Sequence, residues 1–302
     1  MNFLSMKYFL TAAEERSFTK AAEKLHITQQ TLSAHIAGLE KEVGMKLFLR
    51  HVPLELTDGG QVFYRYASLF QRNEISLRRE LADVSGSESG ILRIGVAPSR
   101  GQVLLSSVIV AFHQRYPHVC VQLIEQANEA LWSALKRDEI DLAIAYGPAA
   151  LPGIRQEPYL QEHMVLLVAD QLWKSLDVIE GPVLEDIGFL THCPFLLNSE
   201  DDITGAWARK LFRSAGIEPH VVLESENMGT MLSLCVKGLG AYFCPENLAK
   251  ALLSEEEWKQ MHRIPVFGGT YEISFGYLEK AHRWSMIEHF IEIAKKDREE
   301  MQ

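Results

Sequence analysis

The fold of the N-terminal region is indicated by residues 17–33, which read Ser17-Phe18-Thr19-Lys20-Ala21-Ala22-Glu23-Lys24-Leu25-His26-Ile27-Thr28-Gln29-Gln30-Thr31-Leu32-Ser33. Ser17 and Thr28 stand where helix N-caps are needed, each just ahead of an apolar pattern with helical spacing. Only His26 and Ile27 separate the two predicted helices. Two helices joined this tightly form a helix-turn-helix.

The second helix of this pair has the features of a surface that contacts DNA. Its apolar residues recur at i, i+4, i+7 and i+11: Leu32, Ile36, Leu39 and Val43. Gly44 can end the helix as a left-handed cap. The face opposite the apolar stripe carries Gln30, Ser33, Ala34, Ala37, Gly38 and Lys41. Small side chains let a helix lie deep in the major groove, and Gln30 can pair with a base edge there. An ordinary amphipathic helix with a solvated outer face explains the periodicity equally well.

A long helix predicted at about 58–84 favours a dimer. Its apolar residues recur every seven positions, and three more broaden the seam: Phe63, Phe70, Leu77 and Val84, with Tyr66, Ala67 and Leu81. From residue 60 onward the helix would span about 37 Å, more than a three-helix module covers. We therefore expect Phe63, Phe70, Leu77 and Leu81 to form a dimer interface. Packing of this seam against its own domain is the alternative.

The pattern of the chain changes near residue 90, where Ser85-Gly86-Ser87-Glu88-Ser89-Gly90 has the composition of a linker. Helices are predicted before it, at about 3–15, 18–25, 28–43 and 58–84. Strands alternate with helix-length segments after it, at 91–96, 119–124, 141–145, 164–168, 194–197, 221–223, 241–243 and 273–277. This βαβ rhythm predicts a parallel sheet in two linked α/β lobes.

Three parts are therefore expected along the chain. They are residues 1–58, residues 59–90 and residues 91–302. Within the last part, one lobe is expected to comprise about 91–160 and 268–302, and the other about 161–267.

Charge is distributed unevenly between these parts. The 302 residues are 47% hydrophobic and carry a formal net charge of −10, a composition that excludes a disordered chain. Residues 1–90 contain 11 basic and 11 acidic residues, whereas the other 212 contain 19 basic and 29 acidic residues. Residues 1–52 have a small positive excess, with 7 basic and 5 acidic residues. Because phosphate backbones attract basic surfaces, the N-terminal part is the expected DNA-binding part.

The cysteines and the N-terminus indicate a cytoplasmic protein without a metal or cofactor. The four cysteines are Cys120, Cys193, Cys235 and Cys244. They show no CxxC spacing, so the sequence predicts neither a disulfide framework nor a zinc site. Cys193, beside His192, is the expected exposed thiol. Lys7 interrupts the apolar start, which argues against a signal peptide, and no stretch of about 18 uncharged apolar residues predicts a membrane span.

The first strand after the linker leads into a corner suited to anions. Ala97-Pro98-Ser99-Arg100-Gly101 precedes a helix predicted to start near Gln102, so a hydroxyl, a guanidinium and free backbone N–H groups meet at a helix N-terminus. Such a corner predicts a ligand with a carboxylate or another anionic group. An ordinary N-cap at Ser99 and a solvated Arg100 explain the same residues.

The helix-turn-helix run resembles that of LysR-type transcriptional regulators. The match continues, in the spacing of that family, through Ile36, Leu39-Glu40, Gly44, Leu47-Phe48, Arg50, Leu56-Thr57 and Gly60. The resemblance covers the whole chain and implies an α + α/β fold. It consists of an N-terminal winged helix-turn-helix, a long linker helix, and a two-lobed α/β effector domain similar to type 2 periplasmic-binding proteins.

The resemblance also implies a function and partners. It implies a transcriptional regulator rather than an enzyme, one that binds a double-stranded DNA operator and a small-molecule effector. It further implies a homodimer that pairs into a homotetramer through the C-terminal domains, and it makes RNA polymerase a partner to test. No membrane partner is implied.

Matching the family's motif residue by residue assigns the DNA contacts. They are Thr28, Gln29, Gln30, Thr31, Ser33, Ala34, His35 and Arg50. Three features depart from the family's pattern: Gln30 replaces a common proline, Ala34 replaces a basic residue, and the wing sequence His51-Val52-Pro53-Leu54-Glu55 contains no Lys or Arg. Each missing cation removes one candidate phosphate contact, so operator preference cannot be copied from relatives.

The same comparison assigns the effector cleft. It places the loop with Ser99 and Arg100 in the cleft wall, together with the strand ends at 126–128, 146–148, 197–199 and 225–228, since ligands of open α/β sheets bind beyond carboxyl strand ends. The candidate contacts are Ser99, Arg100, Asn128, Gly147, Asn198 and Asn227.

Four other functions remain as alternatives from the residues alone. An enzyme on this fold would need a nucleophile–base pair, metal-spaced ligands or a phosphate loop, and no such pattern is recognisable. A receptor for a transported solute would need an export signal in place of residues 1–60. An architectural DNA-binding protein would use its C-terminal half only to oligomerise. A peroxide sensor would need reactive thiols, for which Cys235 and Cys244 are the pair to compare.

Overall fold

The chain forms two units, which separate between residues 87 and 88, inside the predicted linker. The computed structural model describes residues 2–49, 51–86, 88–147, 150–176, 191–279 and 284–301. The N-terminal unit has its own apolar core, separate from those of the C-terminal unit. None of the helices in the described ranges is long and apolar enough to cross a bilayer.

The N-terminal unit is helical apart from one short hairpin. Its elements are α1 (Phe3–Glu15), α2 (Phe18–Lys24), α3 (Gln29–Val43), β1 (Phe48–Leu49), β2 (Glu55–Leu56) and α4 (Asp58–Val84). The hydroxyl of Ser17 accepts a hydrogen bond from the Lys20 N–H, and that of Thr28 accepts one from the Thr31 N–H. Gly44 ends α3 with a φ of +79°, a conformation that glycine adopts without strain. Both predicted N-caps and the predicted C-cap are therefore confirmed.

The apolar stripe of α3 packs into the core of this unit. Leu32 and Ile36 are fully buried, and Leu39 is 2% exposed. They share the core with Phe9 of α1, whose ring lies 5.0 Å from that of Phe48 in β1. Burying one face of α3 in this way leaves the opposite face exposed.

The C-terminal unit contains an eight-stranded sheet. Its elements are β3 (Gly90–Val96), α5 (Pro98–Leu104), α6 (Ser106–Arg115), β4 (Val119–Glu125), α7 (Asn128–Lys136), β5 (Leu142–Tyr146), β6 (Ile154–Ala169), α8 (Asp170–Ser175), β7 (Pro194–Leu197), α9 (Ile203–Ala215), β8 (His220–Glu224), α10 (Met228–Val236), β9 (Ala241–Pro245), α11 (Glu246–Leu252), α12 (Glu255–Lys259), β10 (Met261–Leu278) and α13 (Ser285–Met301). The strand order is β4-β3-β5-β10-β6-β9-β7-β8.

The prediction of a parallel sheet is wrong at its centre. β6 and β10 are 16 and 18 residues long and pair antiparallel with each other, and β10 also pairs antiparallel with β5. The predicted segments 164–168 and 273–277 are only the apolar ends of these strands. Parallel pairs flank them, with β3 between β4 and β5 on one side and β7 between β8 and β9 on the other. The predicted boundaries of the two lobes stay a prediction.

Candidate DNA-binding surface and ligand cleft

The face of α3 opposite the core is exposed, with mostly small uncharged side chains and one charged residue, Lys41, near the C-terminus of the helix. Gln30, Thr31 and Ala34 are exposed, and Ser33 is half-buried. Ala37, Gly38 and Lys41 continue the exposed face towards the C-terminus of the helix. A helix with this surface fits the width of a major groove.

At the N-terminus of α3, some polar side chains are engaged in hydrogen bonds within the protein, and others remain available to contact DNA. Thr28 caps the helix, and its hydroxyl lies 2.9 Å from that of Thr31. The Gln29 side-chain oxygen accepts a hydrogen bond from the Thr19 hydroxyl at 3.4 Å. The amide of Gln30 makes no hydrogen bond to another described residue. Gln30 therefore has its donors and its acceptor available for a base edge.

His35 is set apart from this exposed face. Its side chain is half-buried, and its ring meets that of Tyr8 edge-on, with 4.9 Å between the ring centroids. The structure thus places His35 against α1. Arg50 lies outside the described residues, so its predicted contact stays a prediction.

Glu40 connects α3 to the β1–β2 hairpin. Its carboxylate is buried and accepts hydrogen bonds from the backbone N–H of Leu47 at 2.9 Å and of Phe48 at 3.4 Å. The ammonium of Lys46 lies 2.8 Å from its other oxygen. Burial raises the pKa of Glu40, but these three donors together outweigh it and hold the pKa below its ordinary value. A charged Glu40 therefore fixes the hairpin against α3.

A cleft in the C-terminal unit lies at the carboxyl ends of β3, β4, β7 and β8, where the sequence predicts it. Its volume is about 510 Å³, and Ser99, Asn128 and Asn227 are among its lining residues. A second cavity of about 370 Å³ adjoins it and shares Asn128, Asp201 and Asp202 with it. Gly147 lines this second cavity.

Ser99 lies in the cleft, although the local structure differs from the prediction. α5 begins at Pro98 instead of near Gln102, because proline has a φ suited to the first helical position and gives up no needed N–H. The N-cap is Ala97, which makes no side-chain cap bond. Ser99 is therefore in the first turn of α5 and is not an N-cap.

Arg100 does not line the cleft, which corrects its assignment to an exposed anion-binding corner. Its guanidinium forms a bidentate ion pair with Glu162 of β6, with distances of 3.0 and 2.9 Å, and the two side chains are 4% and 0% exposed. Burial disfavours the charge, but the attraction of Glu162 is larger in sum and raises the pKa of Arg100. The early start of α5 turns this residue towards the interior. Its charge is thereby compensated inside the protein.

Each of the two asparagines that line the cleft already accepts a hydrogen bond through its side-chain oxygen. The side-chain oxygen of Asn128 accepts from the Tyr146 N–H at 3.1 Å and from Arg100 at 3.4 Å. That of Asn227 caps α10 by accepting from the Thr230 N–H at 2.9 Å. Their side-chain nitrogens make no hydrogen bond to another described residue, so both side chains can donate to a ligand.

Asn198 and Gly147 have structural explanations. Asn198 directly follows β7, is 5% exposed and lines neither cavity, and its backbone carbonyl accepts a hydrogen bond from Arg209 at 2.5 Å. A Cβ at Gly147 would lie 2.5 Å from the Trp132 ring, so this position needs glycine for packing. The structure therefore assigns Asn198 to the interior and Gly147 to the cavity wall.

Of the acidic and aromatic residues that line the two cavities, only Glu226 and Tyr146 lie in the strand ends that the sequence predicts at the cleft. Glu125, Asp201, Asp202 and Glu226 line the first cavity. Trp132, Tyr146 and Trp207 line the second. The acidic residues follow predicted strand ends, so their positions were a usable signal; the helix residues Trp132 and Trp207 carried no comparable signal.

Three of the four cysteines are buried, which opposes a reactive pair. Cys193, Cys235 and Cys244 are fully buried, and Cys120 is the exposed thiol, so the expectation for Cys193 is wrong. Burial raises the pKa of Cys193 and Cys235 to about 12. A thiol with so high a pKa is protonated at neutral pH and reacts poorly with oxidants. Within the described residues, no three His, Cys, Asp or Glu side chains converge as metal ligands would.

Comparisons with known proteins cover both units. Residues 3–61 match the family model for bacterial regulatory helix-turn-helix proteins of the lysR family, and residues 85–298 match that for the LysR substrate binding domain. The chain is 32% identical over 259 residues to a Bacillus subtilis protein named "Uncharacterized HTH-type transcriptional regulator YcgK", which covers 81% of this chain and 80% of the relative.

Two further comparisons extend over nearly the whole chain. The HTH-type transcriptional regulator AlsR of Bacillus subtilis is 27% identical over 302 residues, covering 97% of this chain and 95% of AlsR. The crystal structure of full-length CbnR complexed with its target DNA matches with a TM-score of 0.68 and 22% identity, covering 98% of this chain and 99% of CbnR. At this identity the structural match shows a shared fold.

Proposed function

The chain belongs to the LysR family of DNA-binding transcriptional regulators, which are not enzymes, and from this premise we propose that it binds its operator as a dimer and alters transcription when a small molecule occupies the cleft. The observation that carries the DNA-binding part is the exposed face of α3. The side chains of this face are small and uncharged up to Lys41, and the side-chain amide of Gln30 near its N-terminus has no partner among the described residues. Such a helix reads base edges in a major groove.

Gln30→Ala tests the reading of bases. We expect operator affinity to fall by about 1–3 kcal/mol and the preference at one base position to relax, because a bidentate amide contact to adenine is lost. Binding is measured by fluorescence anisotropy on operator and on scrambled duplexes. Gln114→Ala removes an exposed amide from the C-terminal unit and serves as the matched control. Equal weakening by Gln30→Ala on both duplexes would show that Gln30 reads no base.

Arg50→Ala separates phosphate contacts from base contacts. This variant is expected to weaken binding to all sequences alike and to reduce the slope of log affinity against log salt by about one. An unchanged slope would remove Arg50 from the phosphate contacts.

The dimer is proposed from the unpaired apolar side of α4. Tyr66, Phe70, Leu77 and Leu81 are 57%, 42%, 55% and 61% exposed. A groove of about 550 Å³ with an almost entirely apolar lining lies beside the first half of the helix. Phe63 lines this groove but also packs on Phe9, with 4.8 Å between the rings. The first residue of the seam therefore belongs to the domain core, whereas the later ones are exposed.

A second copy of the chain is the occupant that we propose for this seam. Two-fold pairing covers it with the same seam and presents two copies of α3 to a pseudo-palindromic operator. Pairing of dimers into tetramers through the C-terminal units, and a contact with RNA polymerase, complete the proposed assembly. Because the chromosome is the site of action, the cytoplasm is the proposed location.

The ligand is proposed to act by shifting a population. It can change transcription only if it binds one arrangement of the assembly better than another. Ser99, Asn128 and Asn227 are the proposed polar contacts in the first cavity, and Gly147 forms part of the second. The expectation of an anionic effector rested on the N-terminus of α5, the Ser99 hydroxyl and the Arg100 guanidinium together, and the buried pairing of Arg100 removes the only full positive charge among them. Since Glu162 holds that guanidinium in the interior, the charge of the effector has to follow from the residues that do line the cleft.

Two alternatives make different predictions. An architectural DNA-binding protein would have a cleft without measurable ligand affinity. A peroxide sensor would need a thiolate, and the raised pKa of Cys193 and Cys235 opposes one.

A further inference from the structure

The first cavity of the cleft is lined by acidic side chains without cationic partners. Glu125, Asp201, Asp202 and Glu226 line it, and none of these four forms a salt bridge with another described residue. Their hydrogen bonds inside the protein come from neutral groups. Asp202 accepts from the N–H of Thr204 at 2.8 Å, and Glu226 accepts from the Ser199 hydroxyl at 3.3 Å. Asp202 is the N-cap of α9 and is held by the helix N-terminus, so Glu125, Asp201 and Glu226 are the carboxylates left to meet a ligand in the cavity.

The second cavity adds aromatic surface next to these carboxylates. Trp132, Tyr146 and Trp207 line it, and Asp201 and Asp202 lie on the border that it shares with the first. The indole N–H of Trp132 donates to the Tyr146 carbonyl at 2.8 Å and holds these two residues together. Tryptophan and tyrosine rings attract cations through their electron-rich faces.

Two arginines near the cleft are paired with carboxylates of the protein. Arg100 is paired with Glu162 in the interior. Arg209 is paired with Glu224 and lies 3.6 Å from Glu200. Among the described residues that line the two cavities, Lys210 in the second cavity is the sole Lys or Arg. The first cavity therefore carries charge of one sign, and such a concave surface concentrates ions of the opposite sign.

We propose that the cleft binds a small organic cation, an amine or ammonium compound whose charge lies among Glu125, Asp201 and Glu226 and whose apolar part contacts Tyr146 and Trp207. The inference rests on the proposed function, in which this cleft is the effector site. It replaces the anionic effector that the sequence predicts.

A charge series of similar length tests the proposal. Putrescine, 4-aminobutyrate and succinate have chains of four carbons and net charges of two positive, zero and two negative. Each is titrated at up to millimolar concentration into the full-length protein by isothermal calorimetry. Putrescine is expected to bind at least about tenfold more tightly than succinate, and its affinity is expected to fall as salt is added.

Variants locate the binding in the cleft. Asp201→Asn and Glu226→Gln each remove one charge without changing the shape of the side chain, and each is expected to weaken putrescine about tenfold or more. Trp207→Leu is expected to weaken it by a similar factor through loss of a ring. Glu218→Gln removes one charge from an exposed position outside both cavities and is expected to leave the affinity unchanged.

The outcomes separate the inference from the proposed function. Tighter binding of succinate, or putrescine binding that Asp201→Asn and Glu226→Gln leave intact, would overturn the cationic site while the cleft remained a ligand site. No binding of any of the three compounds would also overturn it. If, in addition, no compound in a broad metabolite screen altered operator affinity, the proposed effector sensing would fail as well.

Discussion

Glu40 shows at the scale of one residue how a buried charge holds the DNA-binding unit together. Hydrogen bonds from backbone N–H groups to a carboxylate stabilise a fold by about 1.5–3 kcal/mol. Glu40→Gln is therefore expected to lower the free energy of unfolding of the N-terminal unit by about 1–3 kcal/mol. Urea unfolding, followed by the circular dichroism signal of the helices, measures this loss of stability. The tryptophans all lie in the C-terminal unit, so tryptophan fluorescence should be unchanged.

The same carboxylate predicts a pH dependence. The pKa of Glu40 is lower in the folded protein than its ordinary value of 4.5, so its stabilisation is complete above about pH 4.5. It is lost as the pH falls through the folded-state pKa. Glu40→Gln should flatten the acid limb of the stability curve of this unit, whereas Glu23→Gln, at an exposed site, should not. Identical acid limbs for Glu40→Gln and the unmodified chain would contradict the role of Glu40.

Arg100 and Glu162 predict a large loss of stability in the C-terminal unit. Removing one partner of a buried ion pair leaves an uncompensated charge and costs about 3–5 kcal/mol. Arg100→Met is thus expected to lower the unfolding free energy by that amount in tryptophan fluorescence. Arg137→Met is the control, since Arg137 and Glu139 pair at 2.8 Å but are 56% and 42% exposed. This pair should contribute about 1 kcal/mol or less. Similar losses for both variants would contradict the buried pairing.

At the residue scale, the sequence predicts where helix-capping residues lie better than it predicts whether a charged side chain is buried or exposed. Ser17, Thr28 and Gly44 were identified from the local rules of helix capping, which need only neighbouring residues. Arg100 was misjudged because its partner, Glu162, lies 62 positions away on another element. No local pattern shows that such a pair will be buried.

The seam of α4 carries the prediction that belongs to the scale of one element. Phe70→Glu together with Leu77→Glu puts unpaired carboxylates into an apolar interface, which costs several kcal/mol unless they reach water. Sedimentation should show that the double variant is a monomer. Fluorescence anisotropy should show that it no longer binds the operator. Ile75→Glu changes a residue that is 37% exposed on another side of the helix and should leave a dimer. A double variant that remains dimeric and binds DNA normally would show that the seam is placed wrongly.

Among the elements, the four N-terminal helices were predicted closely, whereas the start of α5 and the long strands were not. α1 to α4 follow from apolar periodicity and caps. β6 and β10 were recognised only at their apolar ends, because the rest of β6 alternates with charged residues such as Arg155, Glu157 and Glu162. Their antiparallel pairing joins segments about a hundred residues apart, and sequence periodicity carries no information on that pairing.

For the whole molecule, the family and the order of the parts follow from the sequence, because the helix-turn-helix run is local and specific. The location of the cleft also follows, since carboxyl strand ends gather at one edge of a parallel block. The charge of the cleft does not follow. It depends on which polar side chains line the cavity and which are buried in the protein. Asp201 lines the cavity, whereas Arg100 is paired with Glu162 in the interior.

Selection from a random pool of DNA duplexes tests the central claim, that this chain is a sequence-specific reader of DNA with two-fold symmetry. The purified full-length chain is predicted to enrich sequences that share an inverted repeat, with half-site centres one helical turn of about 10–10.5 base pairs apart or a whole multiple of it. The Phe70→Glu and Leu77→Glu double variant should enrich none. Enrichment of single unpaired half-sites, or of no common sequence at all by the unmodified chain, would contradict the claim.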